Sequence, residues 1–379
     1  MSKSIDIHNP SNRLVSLDFF RGATVAAMIV VNDPGNWEFK YAQLSHAAWE
    51  GCTFTDLIFP FFLFIVGVSI TLSFGRSLKK GTSRRQLALK TLKRSGIIFL
   101  LGLFLNLFPE FDFTQFRLLG VLQRIALVFL ACAMIYLFIG KRSQLYLFSC
   151  LLVGYYLILT YLPVPGIGPA NLEPSNNFSA WFDRLILDGY LGTKGLATYD
   201  NNGIFSTIPA IASGMSGMFA GYLLKQDDMN EKTRLIWLFI AGCLMMFAGW
   251  VFSFEFPMIK RIWTSSYVLY TSGIAFLCFA GAYWFLDALK YLRLAPPFLA
   301  FGVNALTAYF IAGIWGKLSN TITFTYHEKE TVPKQWFYEE VFLSFFDRYN
   351  ASLAYAIVNT CLILTPVWVM YRKGIVVKV

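Results

Sequence analysis

The sequence predicts an all-α polytopic membrane protein of about ten transmembrane helices with both termini in the cytoplasm. Three observations carry that prediction. Of the 379 residues 56% are hydrophobic and only 14% charged, where soluble domains carry about 25% charged residues. Apolar runs recur at close to the ~20 residues that a membrane-crossing helix needs. The basic residues between those runs are distributed unevenly, as topology determinants are.

In chain order the candidate spans are 14–32, 53–74, 95–108, 118–139, 143–161, 203–224, 233–253, 264–286, 295–316 and 350–371. The third is short and is predicted to extend back through "LALKTLKR". The ninth follows "APP" and is interrupted by glycine. Segment 75–94 holds eight Lys and Arg, so it is placed in the cytoplasm. With the other segments alternating, the inner ones hold 20 basic residues, counting Arg234 at the cytoplasmic end of the seventh span, and the outer ones 10. The net charge of +10 is therefore a topology signal, and nucleic-acid binding has no support. The N-terminal "MSKSIDIHNPSNR" lacks the apolar core of a cleavable signal peptide, so the first run is expected to be a retained span. Two outer segments are long, 162–202 and 317–349; "QWFYEEVFLSFFDRY" in the latter suggests an amphipathic helix at the membrane interface. No linker separates a soluble domain, and residues 1–379 are expected to form a single transmembrane domain.

Metal and disulfide chemistry find no footing. Cys132, Cys150, Cys243, Cys278 and Cys361 fall in apolar runs, Cys52 lies at a boundary, and no CxxC occurs. His8, His46 and His327 are far apart, so no metal ligand set is predicted.

Charged groups inside a bilayer are costly and normally face a bundle interior or an aqueous cavity. Asp18, Arg21, Asp56 and Arg124 are such groups. Asp18 and Arg21 are three apart on one helix face, which suits an internal ion pair; Arg21 is also positioned to meet an anion entering from inside. Arg124, in "GVLQRIAL", has no opposite charge nearby in sequence. An Asp56–Arg124 bridge and a polar cavity opening near the outer face both explain it. His46 precedes the second span on the outer side, Asn32 ends the first, and Asp56 begins the second. A carboxylate can orient an imidazole, and an asparagine can donate to a carbonyl that develops negative charge. Such a trio would suit acyl transfer. Further polar clusters mark later outer ends: Asp200, Asn201, Asn202, Ser206 and Thr207 in "ATYDNNGIFSTIPAI", then Lys260, Arg261, Trp263, Ser265 and Ser266 in "MIKRIWTSSYVLY". Asn304 lies within the ninth span. Helix caps and interface anchors account for many of these as well as a site does.

"LVSLDFFRGATVAAMIVVNDPG" followed by "HAAWEGCTFTDLIFPFFLFIVGVSI" resembles the opening of heparan-α-glucosaminide N-acetyltransferase and its bacterial relatives, within the wider group of transmembrane acyltransferases. "LLGVLQRIAL", "TYDNNGIFSTIPAI", "IKRIWTSSYV" and "FGVNALTAYF" continue the resemblance in the same order. It covers nearly the whole chain. The extra N-terminal luminal domain and additional span of the animal enzyme are expected to be absent, which leaves monomer and homodimer both open. The resemblance implies transfer of acetyl from cytoplasmic acetyl-CoA to the amino group of a terminal glucosamine across the membrane. It places the catalytic histidine on His46, with Asn32 and Asp56 beside it, and it equates the lumen with the periplasm outside a bacterial inner membrane. Under it Arg124, Gln123, Arg21, Ser265 and Ser266 are candidates for the acetyl-CoA path, and Asp200, Asn202, Lys260 and Asn304 for the sugar. His46 serves as general base or as acetyl-accepting nucleophile, since both make similar demands. Direct transfer in a ternary complex is the simpler route. The rivals are an O-acyltransferase of a cell-envelope glycan and a sugar transporter. The latter predicts flux without chemistry.

Overall fold

A computed structural model describes residues 14–114, 116–192, 198–226 and 228–377. The expected polar N-terminal segment 1–13 and positions 193–197 of the long segment 162–202 lie outside the described residues. The protein is 69% helical, and among the described residues the one sheet is a short hairpin. Eight helices are long and apolar enough to cross a membrane, or nine if one bent pair counts as a single span. The polytopic all-α expectation therefore holds.

Close contacts divide the chain into two compact units, one comprising residues to His46, Thr53–Ile58 and Gly281 onward, the other Ala47–Cys52 and Phe59–Ala280. In the first unit α1 (Val15–Asn32) lies against α10 (Pro296–Val303). Their backbones touch: a Cβ on Gly22 would sit 1.7 Å from the Phe298 carbonyl oxygen, and one on Gly302 would sit 1.8 Å from that of Asp18. Any side chain at either position would hold the helices apart. The N-terminus of α1 is capped from far along the chain, because Asp287 accepts hydrogen bonds from Val15 N (3.3 Å) and Ser16 N (2.9 Å). A carboxylate at that end satisfies orphan amides and meets the positive pole of the helix. Helix α13 (Arg348–Arg372) completes this packing.

The second unit contains α3 (Arg84–Leu107), α4 (Val121–Phe138), α5 (Lys141–Tyr161), α6 (Phe178–Leu187), α7 (Ile204–Leu224), α8 (Glu231–Phe252) and most of α2 (Phe54–Lys79) and α9 (Ser265–Tyr283). Its core joins Leu63 and Ile70 of α2, Val128 and Cys132 of α4, Met215 and Met218 of α7, and Trp263. Glycines again permit close approach, since a Cβ on Gly217 would meet the Phe64 carbonyl oxygen at 1.9 Å. Only 17% of the apolar stretch of α8 is buried. An apolar helix left so bare requires lipid rather than water around it.

Three expectations are refined. The third span is the C-terminal part of α3, which begins at Arg84 under a capping box from Ser83 and Gln86. The exposed Arg84, Arg85, Lys90, Lys93 and Arg94 at its start exclude it from the apolar set. The ninth span is broken between α10 and α11 (Ala305–Thr321), with an 87° bend. Segment 317–349 is not one amphipathic helix. It contains the end of α11, the hairpin β1 (Phe324–Tyr326) and β2 (Lys329–Thr331), the turn α12 (Pro333–Trp336) and a π-helical stretch Phe337–Phe342. His327 and Glu328 at the hairpin tip have φ of 47° and 63°, the mirror-image turn that matches strand twist.

Candidate active site

The site begins with the first turn of α2. Its backbone amides need partners, and Gln43 Oε1 accepts from Phe54 N (3.1 Å), while the Gln43 carbonyl accepts from the Thr55 hydroxyl (3.1 Å). The Thr53 hydroxyl lies 2.7 Å from the Ser45 carbonyl and 3.0 Å from Asp56 Oδ2. The residues flanking His46 are thus laced to the helix start. Asp56 is 1% exposed and its Oδ2 also accepts from Thr53 N (3.1 Å). Sitting in the first turn, it faces the positive pole of α2.

The other oxygen, Asp56 Oδ1, lies 2.7 Å from His46 Nδ1. An ionised carboxylate can only accept, so the imidazole donates through Nδ1 and carries its lone pair on Nε2. The His46 side chain is 48% exposed while its partner is buried. The buried acid can fix the tautomer and angle of the imidazole, an arrangement that is able to serve as a base. Asn32, the last residue of α1, is exposed.

Beside Asn32 lies a cluster that sequence reasoning passed over. Asp33 Oδ1 accepts from Lys334 Nζ (2.8 Å) and Oδ2 from Asn359 Nδ2 (2.7 Å), and Asn359 Oδ1 accepts from Trp315 Nε1 (2.8 Å). The end of α1 is tied there to α11, α12 and α13. The partners stand some 300 residues from Asp33 in sequence, so no local signal announces them.

In the second unit Arg124 is 1% exposed. It donates to the Gly203 carbonyl (3.1 Å) and to Ser206 Oγ, and its guanidinium lies 5.1 Å from the centre of the Trp263 ring. Its Nε and Nη1 are buried without hydrogen-bond partners, as are both amide atoms of Gln123. Buried polar atoms left unpaired are costly. Asp200 forms a two-pronged pair with Arg117 (2.5 and 3.1 Å) and accepts from Gly192 N and Asn202 N. Asp183 of α6, also unanticipated, accepts from Phe205 N (3.1 Å) at the start of α7. Burial pushes its carboxyl up to about 6, opposed by the Phe205 amide and by Arg124.

Several remaining candidates have partners within the chain. Arg21 pairs with Asp18 (3.1 Å) and donates to the Gly302 carbonyl (3.2 Å). Ser265 donates to the Leu152 carbonyl and Ser266 to that of Pro257. Asn304, at the α10–α11 break, bonds the Ile375 carbonyl (3.0 Å) and Val377 N (3.2 Å). Lys260 is half-buried. Asp56 binds His46 and Thr53, while Arg124 binds Gly203 and Ser206.

A family profile described as "Heparan-alpha-glucosaminide N-acetyltransferase, catalytic" matches residues 13–249. The human heparan-alpha-glucosaminide N-acetyltransferase is 29% identical over 420 aligned positions, covering 97% of this chain and 60% of the relative. The mouse protein of the same name is 30% identical over 352 positions, covering 79% of this chain and 53% of the relative. The chain thus spans just over half the length of these relatives. The profile nonetheless takes in the His46–Asp56 pair, Arg124 and Asp200, over more than half of the residues: the chain belongs to the heparan-alpha-glucosaminide N-acetyltransferase family.

Proposed function

We propose that the protein is a membrane acetyltransferase that moves acetyl from acetyl-CoA to the amino group of a glucosamine-type sugar, with His46 as the base. The observation that carries this is the 2.7 Å contact between His46 Nδ1 and the buried Asp56. It leaves Nε2 as the basic nitrogen of a side chain that is 48% exposed. The sugar amine attacks the thioester carbonyl. A C–N bond forms, the C–S bond breaks, and the amine proton passes to His46 Nε2 and from there to the departing thiolate. Asn32 is the proposed donor to the acetyl carbonyl, since its amide is exposed at the end of α1. The unpaired Nε and Nη1 of Arg124 and the Gln123 amide fit the oxygens of an acyl or phosphoryl group, so the donor is assigned to them. Asp200 and Asn202 stand near Arg117 as further polar contacts. The excess of basic residues on the other side supports an orientation with His46 outside the cytoplasm, which in a bacterium is the periplasmic face of the inner membrane.

The test is acetyl transfer from labelled acetyl-CoA to glucosamine by purified protein beside His46→Ala, with coenzyme A release followed. Transfer that vanishes in a folded variant still able to bind coenzyme A supports the assignment. Label held on the wild-type protein without acceptor, then chased onto sugar, replaces the base by an acetyl-histidine. Transfer that survives in His46→Ala removes His46 from the mechanism. Coenzyme A binding without transfer to any amine turns the assignment to a hydroxyl acceptor.

A further inference from the structure

Helix α3 has two unlike sides. Its buried positions, Leu87, Thr91, Ser95, Ile98, Gly102 and Leu105, recur at helical spacing. Ser95 Oγ on that side donates to the Ala126 carbonyl of α4 (2.7 Å). The opposite side runs through Arg85, Leu89, Lys93, Gly96, Leu100 and Phe104, all exposed. Leu89 is 59% and Leu100 64% accessible, and a Cβ on Gly96 would meet nothing within 4 Å.

The apolar part of α3 is too short to cross a bilayer by itself. Ser95–Leu107 is 13 residues, about 20 Å of helix, against a hydrocarbon core of about 30 Å. Counting about 20 residues back from Leu107 reaches Ala88, so a crossing α3 carries Lys90 and Lys93 at the edge of the acyl region. Helical side chains lean toward the N-terminus of their helix, which here is the basic end. Both ammonium groups can therefore rise on their alkyl stems to headgroup level. They find no counter-charge nearby in the chain. No Asp or Glu occurs between Asp56 and Glu110, and Arg85, Lys90 and Lys93 form no ion pair among the described residues. Leu89 and Leu92 stand exposed between these cations. A nucleotide phosphate would leave both leucines in water, whereas a lipid offers them acyl chain and the cations a phosphate.

We propose that this side of α3 binds an anionic phospholipid of the leaflet at its Arg84 end. Lys90 and Lys93 pair with the phosphate, and Arg85 stands two turns nearer the membrane surface to meet the rest of the headgroup. An acyl chain lies over the notch at Gly96, between Leu89 and Leu100. The site is independent of the acetyl-transfer reading.

The test is lipid retention. Protein reconstituted with equal amounts of phosphatidylglycerol and phosphatidylcholine is returned to detergent and washed, and its bound lipids are counted by mass spectrometry. The wild type is expected to keep phosphatidylglycerol over phosphatidylcholine at least fivefold. Arg85→Gln, Lys90→Gln and Lys93→Gln combined bring that ratio to about one, while Arg85→Lys, Lys90→Arg and Lys93→Arg combined preserve it. Lys290→Gln, Lys329→Gln and Lys373→Gln combined remove the same charge from other exposed positions and leave the ratio unchanged. Equal retention of the two lipids by the wild type overturns the site, whether or not the variants fold. So does a preference that survives loss of the three α3 cations. A preference that falls as far in the Lys290, Lys329 and Lys373 variant also overturns it, since net charge then explains the effect. Loss of coenzyme A binding in the α3 variant at an unchanged lipid ratio assigns these cations to nucleotide phosphates and rejects the lipid.

Discussion

Replacing Asp56 by Asn tests the dyad at its hinge. The amide keeps the size of the carboxylate, but only one of its ends accepts. Thr53 N donates to one end at 3.1 Å, with the Thr53 hydroxyl 3.0 Å away, so the amide oxygen turns toward Thr53 and the NH2 toward His46. The imidazole must then accept at Nδ1 and carry its proton on Nε2, the nitrogen that is meant to take one. The lost charge-assisted bond of 2.7 Å is worth about 1.5–3 kcal/mol, which alone lowers the rate roughly 10- to 150-fold. The wrong tautomer adds to this and brings the expected loss in kcat to about 10²–10⁴. KM for the sugar should move little, because neither group is assigned to hold it. The assay is steady-state acetyl transfer at saturating acetyl-CoA, with thermal unfolding as the control for folding. A folded Asp56→Asn protein with wild-type kcat would refute the orienting role. A rise in KM at constant kcat would make Asp56 a binding group instead.

Two further outcomes follow from packing and burial. Gly302→Ala puts a methyl 1.8 Å from the Asp18 carbonyl oxygen, so α1 and α10 must separate; a loss of about 1–3 kcal/mol is expected, read as a lower unfolding temperature in detergent, and an unchanged temperature contradicts the backbone contact. Asp183 titrates at about 6 when folded against 3.8 as reference. A raised acid favours the folded state fully below pH ~4, and that contribution is lost as pH rises through about 6, up to ~3 kcal/mol in total. The stability of the wild type relative to Asp183→Asn should therefore fall between pH 4 and 7; a gap that stays constant removes Asp183 as the titrating group.

Helix type and most of the spans were legible because lipid imposes length and apolarity, and both can be read from a linear string. The His46–Asp56 pair was legible for a related reason. Only ten residues separate the two, so the start of α2 brings them together without help from distant chain. Long-range partners were not legible. Asp33 finds Lys334 and Asn359, and Arg124 finds Gly203 and Ser206, through tertiary packing that leaves no local periodicity. The partners of Asn304 were not legible either: a polar group inside an apolar run suggests a ligand contact, and its amide bonds the chain's own residues 375 and 377. Arg21 was readable as a pair with Asp18 because three residues on a helix share a face.

The break at Asn304 gives the residues after α13 a structural duty. One amide, 2% exposed, bonds the Ile375 carbonyl and the Val377 amide, so the helix bent by 87° is latched by a strip of backbone more than 70 positions away. Trimming the protein before Ile375 would leave that amide buried with nothing to hold. An affinity tag or fusion partner placed directly on this strip would pull on a latch, and one added with a flexible spacer would not.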